Sequence, residues 1–381
     1  MEVYLDNAAT TRPYDAVINE TARVMREIYA NPSSMHALGK AAEDFLCACR
    51  NTVAQSMGAD EGELIFTAGG TEADNLAIFG YCEANKRRGN KIITTKTEHP
   101  AVLEAFSVLE DRGFHAIYLD VDEQGTPDLA QLKNELDENT ILVSMMAVNN
   151  ETGAILPIAE VGAMLDHSRT ALHVDAVQGY GKIPLHVKKL GIDLMSVASH
   201  KIHGPRGVGA LYVRKGVRIK PLLAGGKQEH ALRAGTENLP GIAGFAEAVR
   251  IRTENMAQDE TAVALLKERL LDGLNKAGAN YLVNSPQTAS PYVLNLSFEG
   301  IKSEVLLHVL ESKGISVSTG SACNSAKNRL SYVLKAMGFS DRRVDGAVRL
   351  SFSAQNTPEE MDYVAQVLAK EAALLQKIMK R

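Results

Sequence analysis

Between residues 64 and 213 the chain alternates short apolar runs with helix-like stretches, and this alternation leaves few folds open to it. The runs cover 64–67, 91–95, 115–119, 141–148, 171–174, 193–197 and 209–213. Strands separated by helical segments return to the same sheet by crossovers, with helices packed on its faces. The expected class is therefore α/β, with a mostly parallel seven-stranded sheet. After about residue 240 a long helical pattern begins and includes 261–277. A smaller region of strands and helices follows, with runs at 292–298, 305–312 and 347–352. The pattern predicts a large domain over 15–255 and a smaller α+β domain built from 1–14 and 256–381.

Certain polar residues fall at the ends of those runs. His99 follows the run ending at Thr95, and Asn150 the run ending at Val148. Asp175 follows Val174, and Lys201 comes shortly after Val197. In an open parallel sheet the C-terminal strand ends line one crevice where ligands bind. These groups, distant in sequence, are thus expected to converge.

Composition excludes several classes of function. The net charge of -5 provides no basic surface for a dedicated nucleic-acid binder. The start, Met1-Glu2-Val3-Tyr4-Leu5-Asp6, lacks the basic and apolar regions of a secretory leader. The longest apolar stretch, 141–148, is too short to span a bilayer. The cysteines Cys47, Cys49, Cys82 and Cys323 form no CxxC pair and no disulfide framework. A cytoplasmic, reducing location fits this usage.

Cys323 stands apart from the others. Its surroundings, from Ser318 through Gly320, Ser321 and Ala322 to Asn324, are small and polar. A core cysteine has apolar neighbours; this one reads as displayed on a mobile loop, where a thiolate acts as a nucleophile. Lys201, between His200 and Ile202 and ahead of Gly204-Pro205, suits a Schiff-base lysine. A buried Asp175 keeps a pyridine nitrogen protonated, and Gln178 is placed to reach a ring oxygen. The stretch 67–75 passes from a strand through Gly69-Gly70-Thr71 into a helix, a plausible phosphate cradle. It is neither GxGxxG nor a Walker A sequence. The glycine-rich stretch 204–209 reads as a turn into the next strand. His99 has the ring to stack and to move protons, and Arg349, alone in an apolar run, needs an anion. Taken singly, each admits a structural role: a solvated lysine, a loop-capping aspartate, an ordinary helix start, a structural histidine, an internal ion pair.

Taken together, the motifs resemble the cysteine desulfurases of the NifS/IscS type, class V aminotransferase relatives among the fold-type I enzymes of pyridoxal 5'-phosphate (PLP). The resemblance runs from Tyr4-Leu5-Asp6-Asn7-Ala8-Ala9-Thr10-Thr11 to Thr357-Pro358-Glu359-Glu360. Its most specific elements are Thr97-Glu98-His99-Pro100, Asn149-Asn150-Glu151-Thr152-Gly153, Val174-Asp175-Ala176-Val177-Gln178, His200-Lys201-Ile202-His203-Gly204-Pro205, Arg233-Ala234-Gly235-Thr236-Glu237-Asn238 and Gly320-Ser321-Ala322-Cys323.

The resemblance implies a role for each residue. Lys201 would bind PLP covalently, and His99 would stack on its ring and act as acid or base. Asp175 would pair with the pyridine nitrogen and Gln178 with the ring oxygen. Gly70, Thr71, Ser199 and His200 would hold the phosphate. Thr236 would reach the phosphate of a neighbouring subunit's cofactor, which implies a homodimer. Asn150 and Arg349 would orient L-cysteine, and Cys323 would take its sulfur as a persulfide, leaving L-alanine. A sulfur acceptor, such as an iron–sulfur scaffold or a thiolation relay, would follow. The spacing from Cys323 to Ser331-Tyr332-Val333-Leu334 resembles the branch with the longer loop. The chain departs from the family at Ala198, where serine is usual, at Lys227, and at Ala354-Gln355. A selenocysteine lyase is the nearest alternative, and a degenerate PLP-fold binding partner a more distant one.

Overall fold

The computed structural model describes residues 1–319 and 330–379. The strands, in chain order, are β1 (Val3–Tyr4), β2 (Leu64–Thr67), β3 (Lys91–Thr95), β4 (His115–Leu119), β5 (Thr140–Met146), β6 (Ala171–Asp175), β7 (Leu194–Ala198), β8 (Gly209–Val213), β9 (Leu282–Val283), β10 (Val293–Ser297), β11 (Ile315–Ser316) and β12 (Ala347–Ser351). β2 to β8 form the main sheet, in the order β2-β8-β7-β6-β5-β3-β4. β4, β3, β5, β6 and β7 pair in parallel, whereas β8 runs antiparallel to both β7 and β2.

Period-two alternation sorts the side chains of this sheet onto two buried faces. Phe66, Ile93, Val143, Val174, Val197 and Tyr212 enter one apolar cluster. Ile65, Ile92, Leu142, Ala171, Leu194 and Leu211 enter the other, against the helices Gly70–Asn85 and Pro100–Asp111. Both faces being covered explains the near-continuous apolar runs in the sequence.

One run ends sooner than its composition suggests. β5 stops at Met146 because Val148 pairs instead with Ile155 and closes a turn over 149–154. Asn149 builds that turn: its Oδ1 accepts from the N–H groups of Glu151 and Thr152, and its Nδ2 donates to the Thr97 carbonyl. The helical pattern after 240 proves to be a single helix, Leu239–Lys276, of 38 residues. Its first half, through Val249, packs in the main core. From Val263 onward it packs in a separate cluster with Leu294, Leu296, Val348, Leu350 and Val3. That second cluster covers the antiparallel β12-β10-β9 sheet and the short β1-β11 pair.

A buried ion pair clamps the edge of the main sheet. Arg50 Nη1 and Nη2 bond Glu229 Oε2 and Oε1 at 2.6 and 2.7 Å, and Glu229 Oε2 also accepts from Phe66 N of β2. Glu229, His230 and Ala231 all hold positive φ, at 46°, 58° and 62°, a left-handed turn that non-glycine residues adopt only under constraint. Arg50→Met leaves the Glu229 carboxylate buried without its cation. It is expected to cost about 3–5 kcal/mol, read as a lower denaturant midpoint at unchanged slope.

Candidate active site

A cavity of about 250 Å³ lies where β3, β5, β6 and β7 end. His99, Asn150, Asp175 and Lys201 all line it, so the strand-end residues do converge. Each is placed by local chemistry. His99 caps the helix Pro100–Asp111: its Nδ1 accepts from Ala101 N at 3.1 Å, and Pro100 fits the first helical position. With Nδ1 an acceptor, the neutral ring carries its proton on Nε2. Burial lowers the His99 pKa, Asp175 acts against this, and Lys201 adds to it.

Asp175 closes β6 and is buried, with Oδ1 accepting from Val177 N at 2.9 Å. Burial raises its pKa, while His99, the Val177 N–H and Lys201 act to lower it. A cation at the carboxylate would stabilise its charged form. Lys201 Nζ donates to the carbonyls of Ala8 and Ala9 at 2.6 and 2.8 Å. Gln178 also lines the cavity and donates from Nε2 to the Ala8 carbonyl at 2.7 Å.

One end of the cavity suits an anion. Gly70 and Thr71 open the helix Gly70–Asn85, and no side chain caps its N-terminus. The first N–H groups of such a helix attract negative charge. A Cβ on Gly70 would lie 2.6 Å from Val177, so the close approach there requires glycine. His200 lies alongside, with Nδ1 3.2 Å from Thr10 Oγ1. Burial, then Lys201, hold its ring down to about 4, so it is neutral at pH 7.

Arg349 makes the internal ion pair that its sequence setting allowed. Nη2 pairs with Asp6 Oδ1 at 2.8 Å, and Nη1 donates to the Asn150 carbonyl at 3.0 Å. Among the described residues, however, its Nε is buried with no partner, as is Asn150 Oδ1. Unpartnered buried polar atoms beside a cavity point to a ligand that completes them.

Two of the expected residues that the structure describes are not brought to this cavity. Ser199 is fully buried and absent from the wall, where Ala198 stands instead. β7 ends at Ala198 and Ser199–Lys201 form a 3-10 turn, which turns Ser199 inward while His200 and Lys201 reach the cavity. Ser199 packs so closely on residue 204 that a Cβ there would lie 2.0 Å from its Oγ. Its side chain is therefore not placed where the expected phosphate contact would be made. Thr236 is exposed and away from the cavity. Cys323 lies outside the described residues.

The sequence reading gave no role to Asp6, Ala8, Ala9 or Asp74. The 5–11 segment crosses the site, and its small residues let backbone carbonyls meet Lys201. Asp74 is buried in the wall beside Asp175, and burial above all raises its pKa well above the ordinary value. Glu98, next to His99, holds Met146 N and Thr95 Oγ1 from Oε1. Burial raises its pKa from 4.5 to about 8. The folded protein therefore keeps a proton that the unfolded chain loses earlier. The resulting stability is full below 4.5 and is lost as pH rises through about 8. Glu98→Gln is expected to flatten the pH dependence of unfolding free energy across that window.

The described side chains suit PLP: an uncapped helix N-terminus for a phosphate, a buried carboxylate for a ring nitrogen, a lysine between them. Fold and cavity together define a fold-type I α/β transferase. Residues 3–364 match the aminotransferase class-V family, and the chain belongs to it. A cysteine desulfurase IscS of Methanosarcina thermophila is 43% identical over 96% of this chain and 91% of its own. The mitochondrial cysteine desulfurase of Saccharomyces cerevisiae is 40% identical over 99% of this chain and 76% of its own. A solved NifS-like protein superposes with a TM-score of 0.92 at 40% identity, over 98% of this chain and 100% of its own. SspA, solved in complex with cysteine, has a TM-score of 0.83 at 30% identity, over 93% and 100%. The family implies PLP in general. Among the described residues no helix is long and apolar enough to cross a membrane.

Proposed function

We propose that the chain is a cysteine desulfurase that binds PLP in this cavity, removes sulfur from L-cysteine and releases L-alanine. The observation that carries this reading is the convergence of Lys201, Asp175 and His99 on one cavity with an uncapped helix N-terminus. When bound, PLP supplies an electron sink that makes the substrate's α-proton removable. The helix N-terminus at Gly70 and Thr71, with His200, holds the phosphate. Asp175 balances the ring nitrogen's positive charge, and Gln178 donates to the ring oxygen. His99 packs on the ring and keeps a proton on Nε2.

Lys201 Nζ would hold the cofactor covalently. The Lys201 amine would also be placed to move the substrate's α-proton. Arg349 Nε and Asn150 Oδ1, both unpartnered, take the substrate's carboxylate and amine ends. Cys323 forms a new S–S bond to the substrate sulfur as the Cβ–Sγ bond breaks. The electron pair left on carbon takes a proton, so cysteine plus the enzyme thiol becomes alanine plus persulfide.

The same reading assigns a homodimer, with Thr236 reaching the partner's cofactor, and places the protein in the cytoplasm. The sulfur acceptor is a protein such as an iron–sulfur scaffold or thiolation relay. The domain division falls near residue 255, inside the long helix, with residues 1–14 joining the smaller domain.

Arg349→Lys keeps the charge but loses the planar fork. It is expected to raise KM for L-cysteine by roughly tenfold or more, with a smaller change in kcat. Parallel assays on L-cysteine and L-selenocysteine test the assignment itself. Turnover of selenocysteine alone would make the chain a selenocysteine lyase.

A further inference from the structure

Lys182 is buried, and it forms no ion pair among the described residues. Its Nζ donates to Gln178 Oε1 at 3.3 Å and lies 5.6 Å from the centre of the Tyr292 ring. Burial lowers its pKa most, and the like charges of Lys201, Arg252 and Arg349 lower it further, to about 7. Burying an amine among cations is costly, and an apolar side chain of that length would pack as well. Its position asks for another explanation.

Gln178 supplies one. Its two ends have nearly the same shape, so its partners alone decide which end faces which way. One end meets Lys182; the other donates to the Ala8 carbonyl, which also accepts from Lys201 Nζ. Lys182 Nζ is the donor in that bond, so the amide oxygen faces it. The NH2 end is thereby left on the side of Ala8 and the cavity.

We propose that Lys182 is a positioning residue that locks the Gln178 amide with its NH2 end toward the cavity, making Gln178 a donor to the cofactor's ring oxygen. The proposal rests on the reading of Gln178 given above. Lys182 touches neither substrate nor cofactor and acts through its neighbour.

The test is the pH titration of the visible absorption band of the PLP-loaded enzyme, which reports on hydrogen bonding at the ring oxygen. Losing a donor there makes the oxygen more basic and moves the midpoint up. Gln178→Ala is expected to raise it by about one pH unit, a tenfold change in proton affinity. Lys182→Met is expected to move it the same way by about half a unit or more. In the Gln178→Ala background Lys182→Met should add almost nothing, because the two act in series. Lys182→Gln removes the charge but keeps a donor, and should stay close to the parent midpoint.

A shift from Lys182→Met that persists undiminished without Gln178 would mean a field effect and overturn the proposal. So would a Lys182→Gln shift as large as that of Lys182→Met. If Gln178→Ala moves the midpoint and Lys182→Met does not, Lys182 has no such role, and the reading of Gln178 stands. If Gln178→Ala itself leaves the midpoint unmoved, the reading of Gln178 falls and takes the proposal with it.

Discussion

Lys201→Ala is expected to lose covalent attachment of PLP entirely and to lower desulfuration by at least about 10³-fold. Nothing else at the described strand ends supplies a primary amine to the cavity. Lys182, the nearest buried alternative, is turned to Gln178 and does not line the wall. Lys201 Nζ is held at the cavity by the backbone carbonyls of Ala8 and Ala9. The variant should still hold PLP non-covalently through the helix N-terminus at Gly70. Borohydride reduction followed by mass measurement would then label the parent chain and not Lys201→Ala. Labelling of the variant at another lysine would place the reactive amine elsewhere.

Cys323→Ala is expected to remove sulfur transfer by a comparable factor while the visible band remains. The described cysteines cannot replace it. Cys49 and Cys82 are buried, and burial raises both thiols, Cys49 to about 12, so neither offers a thiolate near pH 7. Cys47 is exposed on the helix Ala37–Ser56 and does not line the cavity. A thiol in small, polar surroundings remains, and Cys323 is that residue by sequence. After one turnover without reductant, the parent should carry one added sulfur on the peptide containing Cys323. Normal sulfide release by the Cys323→Ala protein would defeat the mechanism.

Much of the site was readable because an α/β sheet has a simple grammar. A polar residue just after an apolar run marks a strand end, and parallel strands bring their ends together. His99, Asn150, Asp175 and Lys201 followed from that rule alone. Ser199 did not, because the choice between neighbouring residues depends on how the chain leaves β7, and that is fixed by packing on Gly204. The β5 boundary was misplaced because Val148 is as apolar as a sheet residue but pairs locally with Ile155. Asp6 and the Ala8 carbonyl were hidden for another reason. Asp6 meets Arg349 across 343 residues of chain, and no local pattern signals a contact of that range. The Ala8 carbonyl is a backbone group and leaves no mark on composition at all. Lys182 carries no pattern in the sequence that sets it apart; only its burial and its bond to Gln178 give it meaning.

The most direct measurement is the yield of alanine and sulfide from L-cysteine by the purified, PLP-loaded protein with dithiothreitol present. The account predicts equal amounts of the two, formed together and lost together in Lys201→Ala. Sulfide accompanied by pyruvate in place of alanine, or no turnover of L-cysteine by a fully loaded yellow protein, would contradict it.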